Sequence, residues 1–217
     1  DLLACAPDAD TIDVTVEDTT DPELTCPDDI VVECSASGGT PADDPDIAAF
    51  LAGATAMDIC DDSLTINNDG PAFFNLGSTV VNFDTSDDSA NSDMCSATVD
   101  VADTTAPTIT SVVASPNSLW PPNHKMVPVS VDVSVTDICD PNPVCQVTSV
   151  VSNEPLNGKG DGNTNIDWEI IGDLSVNLRS ERAGGGNGRI YTIGVECSDG
   201  SGNSTDGSVN VSVPHNR

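Results

Sequence analysis

Aspartate and cysteine are the residue types here whose number and spacing could do chemistry. Acidic side chains number 36 against 6 basic ones in 217 residues, a formal charge of −30. Most of the acid is Asp, which is short, favours turns and ligates hard cations, whereas a coat of solvated helices would use Glu. Asp18 and Asp103 open two Asp-Thr-Thr-x-Pro segments, and Asp87, Asp88, Asp199 and Asn203 fall in turns. Asp137 and Asp140 flank Cys139 much as Asp61 and Asp62 follow Cys60. Carboxylates and amides from several loops can supply the six to eight oxygens that Ca²⁺ takes, so Ca²⁺ is the expected cofactor. The stretch 157–167 has a superficial EF-hand rhythm, but Lys159 stands at the third ligand position and Trp168 at the twelfth. A calcium loop of another geometry would use Asp161, Asn163, Asn165 and Asp167. The competing reading of each Asp is an ordinary turn residue capping local backbone, and of the composition as a whole, adaptation to a salty medium.

Other chemistries find little to work with. There is no Gly-x-Ser-x-Gly elbow, no His-Glu-x-x-His pair and no phosphate-cradling loop. His124, framed by Pro-Pro-Asn, and His215 near the end leave a triad without a base, so no catalytic residues and no enzyme are expected. Arg179, Arg182 and Arg189 bracket a glycine run at 184–188 and read either as an anion site or as partners for nearby acids. Trp120, Trp168 and Tyr191 read either as a sugar-stacking face or as core. A surface this negative repels phosphate and anionic lipid, which argues against nucleic acid as a partner. No apolar run reaches the ~18 residues of a membrane span, so no membrane insertion is expected.

Eight cysteines stand at 5, 26, 34, 60, 95, 139, 145 and 197, none in a Cys-x-x-Cys pair. With two histidines in the chain, zinc is poorly served, and the even count reads as disulfides formed in an oxidising compartment. The protein is therefore expected to be secreted, extracellular or on a bacterial cell surface.

The elements that must position these residues repeat. The stretch 11–22 aligns without a gap on 96–107, each an alternating strand followed by an acidic turn and a proline. A third copy of the strand, 208–213, ends the chain, and 87–91 and 199–203 are two versions of one hairpin turn. Strands rich in Val, Ile and Thr are predicted at 30–34, 64–67, 79–84, 96–101, 108–113, 127–136, 146–151, 166–171, 174–179, 189–196 and 207–213. Pro45–Ala52 reads as one short helix. The expectation is an all-β chain of two tandem immunoglobulin-like β-sandwiches, with one short helix in the first. Residues 1–20 hold an orphan strand at 11–17, followed by sandwiches at 21–105 and 106–217.

The opening 18–30, Leu76–Val81 and the closing 95–101 together resemble a HYR (hyalin repeat) domain spanning about 18–105. The second sandwich, with 119–126, 152–155 and 178–182, resembles an Ig-like module found beside HYR repeats in bacterial secreted proteins. Ala90 replaces the glycine that the Asp-x-Ser-Gly-Asn turn of a HYR domain would carry. The resemblance implies an extracellular, tandemly repeated fold linked to adhesion, and a Cys26–Cys95 clasp from first strand to last. That leaves Cys34–Cys60 to tether the helical insertion, while Cys145 and Cys197, at strand ends, are expected to pair across the second sandwich. Cys5 and Cys139 are left over as candidates for an intermolecular bond, with strand 11–17 adding to a neighbouring copy. The alternative is that this strand belongs to another domain of a longer protein. The expected function is a structural or adhesive protein, disulfide-stapled and Ca²⁺-stabilised, with a filament subunit as one form. Its partners would be neighbouring copies or repeats, with a cell-surface glycan or protein as a further candidate. The alternative function is a non-catalytic glycan-binding or spacer module of a large secreted polysaccharide-degrading enzyme.

Overall fold

Alternation of apolar and polar residues makes strands the main regular structure, covering about half of the described residues, with one short helix among them. The structure, a computed structural model, describes residues 11–156 and 166–216. Its strands are β1 Glu23–Thr25, β2 Ile30–Glu33, β3 Gly39–Pro41, β4 Thr55–Met57, β5 Thr65–Asn68, β6 Phe73–Asn75, β7 Gly77–Ser86 and β8 Ser92–Ala102. They continue as β9 Thr108–Ser115, β10 Met126–Thr136, β11 Val144–Ser152, β12 Trp168–Gly172, β13 Ser175–Arg179, β14 Gly188–Ser198 and β15 Ser204–Pro214. The helix α1, Pro45–Leu51, is started by the Asp44 carboxylate, which accepts from the Asp46 amide, and by proline in its first turn. The chain is all-β with two Ig-like sandwiches, as its alternation predicts. The three-residue strands β1, β3, β4 and β6 are too short to register as periodic runs.

By contact the described residues form two units. One holds those up to Ile30 with Ala42–Ala72 and Ser78–Val99; the other holds Val31–Pro41, Phe73–Gly77 and those from Asp100 on. In the first, Ile47 and Phe50 of α1 are buried, as are Val81, Phe83 and Val99 of β7 and β8, and the rings of Phe50 and Phe83 meet edge to face at 5.8 Å. Helix and sheet thus close on a small core that the Cys26–Cys95 disulfide, 5.9 Å between Cα atoms, ties to the β8 strand.

In the second unit a four-stranded sheet in the order β12-β13-β10-β9 faces a three-stranded sheet in the order β11-β14-β15. Its core runs through Val129 and Val131 of β10, Val176 and Leu178 of β13, and Tyr191, Ile193 and Val195 of β14. Residues Arg189, Tyr191, Ile193, Val195 and Cys197 alternate inward along β14, as a period of two requires. Cys145 and Cys197 stand directly opposite each other in the β11–β14 register and are bonded. They are neighbours within one sheet, correcting the expected bridge across the sandwich.

Cys34 is bonded to Cys139, 5.8 Å apart at Cα. This corrects two expectations, that Cys34 closes on Cys60 and that Cys139 is spare. The physical reason is local. Cys34 follows β2 and its amide donates to the Ala102 carbonyl, which holds it within the second unit, whereas Cys60 belongs to the first. Among the described residues Cys60 is an exposed thiol without a disulfide partner; Cys5 lies outside the described residues.

Residues 11–22 join no sheet, and Ile12, Val14 and Val16 are 81–89% exposed. Among the described residues no helix is long and apolar enough to cross a membrane.

Candidate functional site

The repeated turns build one polar frame twice. In the first unit Asp87 begins the β7–β8 turn. Its carboxylate accepts from the amides of Ser89 and Asn91 at 2.9 and 2.8 Å and from the Asn91 side chain at 2.7 Å. That side chain in turn reaches the Asp18 carbonyl at 3.3 Å. In the second unit Asp199 accepts from Ser201 and Asn203 amides at 2.9 and 2.8 Å and from the Asn203 side chain, which donates to the Asp103 carbonyl at 3.1 Å. The fixed offset between Asp and Asn forces this pattern, because a four-residue turn brings the Asn amide back onto its own carboxylate.

The cysteine loops repeat as well. Asp58 accepts from the amides of Cys60 and Asp61 at 2.7 and 3.0 Å, and Asp137 from those of Cys139 and Asp140, both at 2.8 Å. Asp61 then takes the amide of Asp88, and Asp140 that of Gly200. Beside each loop lies a matching hollow. One, of ≈ 380 Å³, is lined by Thr20, Asp21, Glu23, Met57, Asp58 and Ile59. The other, of ≈ 190 Å³, is lined by Thr105, Ala106, Thr108, Thr136, Asp137 and Ile138, the repeat of those positions.

These bonds set the electrostatics. The Asn91 side chain holds the Asp87 carboxyl below its ordinary range, outweighing the opposing effect of burial. For Asp199, burial pushes upward but the Asn203 side chain and the turn amides prevail, and the net shift is down. The Asp18 charge, followed by burial and then Asp58, pushes the Cys60 thiol up.

The structure therefore gathers Asp18, Asp87 and Asp88 in one frame and Asp103, Asp137, Asp140, Asp199 and Asn203 in the other. Asp161, Asn163 and Asn165 lie outside the described residues. Asp167, read from sequence as a calcium ligand, lies buried at 2.6 Å from the Arg189 guanidinium. A second cation beside that guanidinium is disfavoured, which corrects the expectation. Arg189 also meets Glu181 and Glu154, Arg179 donates to the carbonyls of Ile166 and His124, and Arg182 to those of Pro214 and His215. The arginines serve pairing and loop closure. Trp168 stands edge-on to buried Tyr191 at 6.2 Å, while Trp120 is exposed.

Sequence reasoning missed Asp58, although the repeat of Asp58-Ile59-Cys60-Asp61 at 137–140 carried the signal. It also missed Glu33, whose carboxylate takes the Thr104 amide at 2.9 Å and the Thr104 and Thr105 hydroxyls, both at 2.8 Å. The Thr104 amide and then the hydroxyls hold its pKa below the usual range.

Which oxygens could hold a cation follows from what the amides leave open. Asp87, Asp199 and Asp140 are taken up by turn amides, whereas Asp58 Oδ2, Asp103 Oδ2 and Asp167 Oδ1 are buried and meet no donor among the described residues, the last on a carboxylate whose other oxygen is bound to Arg189. Ligand atoms of Asp18, Asp58 and Cys60 lie within 4.8 Å of one another. The two carboxylates suit a hard cation; the sulfur does not.

Among solved structures, the chain is similar to human protocadherin-24 EC1-2, at 15% identity and TM-score 0.37, covering 90% of this chain and 98% of that one. It is also similar to Drosophila N-cadherin EC1-4, at 16% identity and TM-score 0.30, covering 88% of this chain and 50% of that one. A third likeness is to the I-band fragment I67–I69 of titin, at 12% identity and TM-score 0.29, covering 90% of this chain and 66% of that one. No curated protein matches the chain. The HYR domain family model matches residues 17–101, the stretch that holds the first polar frame and the Cys26–Cys95 staple.

Proposed function

We propose that the protein is an extracellular structural or adhesive component, built of tandem disulfide-stapled sandwiches whose strand-end loops are acidic, Ca²⁺-stabilised joints. The observation that carries this reading is the doubled polar frame. The same carboxylate turn, the same Asp-Ile-Cys-Asp loop and the same Asp-Thr-Thr segment recur with the same hydrogen bonds in each unit. An arrangement that uses its acids to fix backbone, and then repeats, is suited to bearing load and setting spacing rather than to turnover. The three disulfides among the described residues support an oxidising location.

For Ca²⁺, the residues that would hold the ion are Asp18 and Asp58 in the first unit and Asp103 in the second, since these retain oxygens not committed to amides. The ion would neutralise like charges that otherwise repel within each loop cluster. Melting with Ca²⁺ and with chelator tests this. A higher melting temperature in Ca²⁺, lost in an Asp58→Asn, Asp103→Asn variant, is expected; superimposable transitions remove the metal from the account.

The exposed apolar side of 11–17 supports assembly by strand addition, in which main-chain hydrogen bonds and burial of Ile12, Val14 and Val16 act together. Electron microscopy of the secreted protein tests for filaments. A second reading, a glycan-binding module, is favoured by one observation, the exposed Trp120 ring in Trp120-Pro121-Pro122. Glycan affinity abolished by Trp120→Ala would support it.

A further inference from the structure

The two Asp-Ile-Cys-Asp loops share their internal bonds and differ in what covers them. In the second unit the segment 33–39 lies over the loop. Glu33 clasps Thr104 and Thr105, Cys34 is bonded to Cys139, and the Gly38 amide donates to the Cys139 carbonyl at 2.8 Å. Cys139 is left 3% exposed. In the first unit the counterparts are Thr19, Thr20 and Cys60. Among the described residues no carboxylate clasps these threonines and no amide caps the Cys60 carbonyl, and Cys60 is exposed. Ile59, the counterpart of Ile138, is 89% exposed against 61%.

The strand leading into each joint differs in the same sense. Cys34 directly follows β2, and its own amide donates to the carbonyl of Ala102, the last residue of β8. By the gapless repeat, Ala102 corresponds to Glu17 and β8 to the stretch 11–17. That stretch has the same alternation as the end of β8, yet its apolar side chains meet water.

We propose that the bare face formed by Thr19, Thr20, Ile59 and Cys60 is a socket for a sandwich of the same HYR design. That sandwich takes 11–17 as its last strand and bonds Cys60 through the cysteine that follows its second strand. Its occupant is identified by what already sits on the repeated face of the second unit: a glutamate for the two threonines, a cysteine for the thiol, and a glycine amide for the loop carbonyl. A copy of this chain in its present arrangement does not qualify, because its Cys34 is already bonded to Cys139. The step is an oxidation in which two thiols lose two protons and two electrons to the thiol–disulfide oxidants of the exporting compartment. The proposal rests on the tandem-array reading above and adds to it a covalent link at a named atom.

The test is a chimera in which residues 18–102 replace residues 1–17, so that an added HYR copy runs directly into Asp18 of the full remaining chain. Cys60 inside the added copy is changed to Ser. Disulfide mapping is expected to show the added copy's Cys34 bonded to Cys60, the added copy's Cys26–Cys95 pair formed, and no reactive thiol. Changing Cys60 of the main chain to Ser as well is expected to leave one thiol, on the added Cys34. If the added copy forms its Cys26–Cys95 pair while Cys34 and Cys60 remain thiols or bond elsewhere, the socket is wrong and the tandem reading survives. If the added copy does not form its own pair, a HYR sandwich is not accommodated before Asp18, and both fail.

Discussion

Arg189 and Asp167 form a buried ion pair, 2.6 Å between Nη1 and Oδ2, with neither side chain reaching solvent. Arg189 begins the inward-facing row of β14, in phase with Tyr191, Ile193 and Val195, so its charge enters the end of an apolar core. Glu181, Glu154, the Tyr191 hydroxyl and the Pro155 carbonyl also meet the guanidinium, and burial holds that hydroxyl's pKa up at about 12. Removing one partner of such a pair leaves an uncompensated buried charge, at a cost of about 3–5 kcal/mol. Arg189→Met is therefore expected to destabilise the second unit by that amount. Urea unfolding in a Trp120→Phe background, where Trp168 reports alone from beside Tyr191, measures it. A loss under about 1 kcal/mol would show that Asp167 and Glu181 do not depend on the guanidinium.

The two hairpin turns differ at two positions, Asp88 against Gly200 and Ala90 against Gly202, and the second of these stands in left-handed backbone in both. Ala90 has φ +69° where its counterpart Gly202 has φ +92°. A Cβ in left-handed backbone costs about 1–2 kcal/mol, partly recovered through the lower entropy of the unfolded alanine chain. Ala90→Gly is expected to stabilise the first unit by about 0.5–1 kcal/mol, and Gly202→Ala to destabilise the second by a similar amount. Opposite signs in thermal melts are the expected outcome; equal signs would mean the turns are not equivalent.

The long strands were legible because β7 to β11 and β13 to β15 alternate over five or more residues, and α1 because Asp44-Pro45 announces its start. The repeated turns were legible because Asp87–Asn91 and Asp199–Asn203 carry the same spacing. Cys145–Cys197 was legible from its strand ends and Cys26–Cys95 from the HYR resemblance, whereas the partner of Cys34 was not. Cys34 and Cys139 are 105 residues apart, and nothing local to either distinguishes that partner from Cys60. The same holds for Asp167, which sits among glycines and amides like a metal ligand but whose neighbour is Arg189, 22 residues on. Phase along β14 was the available signal, since Arg189 shares the parity of Tyr191 and Ile193.

Acid should act through the turn carboxylates. Asp87 and Asp199 both titrate below their ordinary range in the folded chain, because Asn91 and Asn203 with the turn amides favour the ionised form. Their contribution to stability is thus fully present above the unfolded carboxylate value, about 3.9, and is lost as pH falls through the lower folded value. Between pH 5 and 2 the wild-type chain is expected to lose stability progressively. An Asp87→Asn, Asp199→Asn variant is expected to start less stable and to show a shallower decline below about pH 4. Parallel curves for the two proteins would exclude these turns as the acid-sensitive elements.

The Cys34–Cys139 bond closes a sequence separation of 105 residues, and Cys145–Cys197 one of 52. Loop entropy in the unfolded chain makes the longer closure the more stabilising, at about 4–5 kcal/mol for a loop of roughly 100 residues. Glu33 adds three hydrogen bonds beside the same bond, to Thr104 and Thr105, none of which involves a sulfur. A Cys34→Ser, Cys139→Ser variant is therefore expected to keep its fold while losing several kcal/mol. Adding Glu33→Gln to it is expected to expose the Cys139 loop to proteolysis near Ile138. Cleavage at that site already in the double-serine variant would show that the disulfide alone, and not the glutamate clasp, holds the segment 33–39 in place.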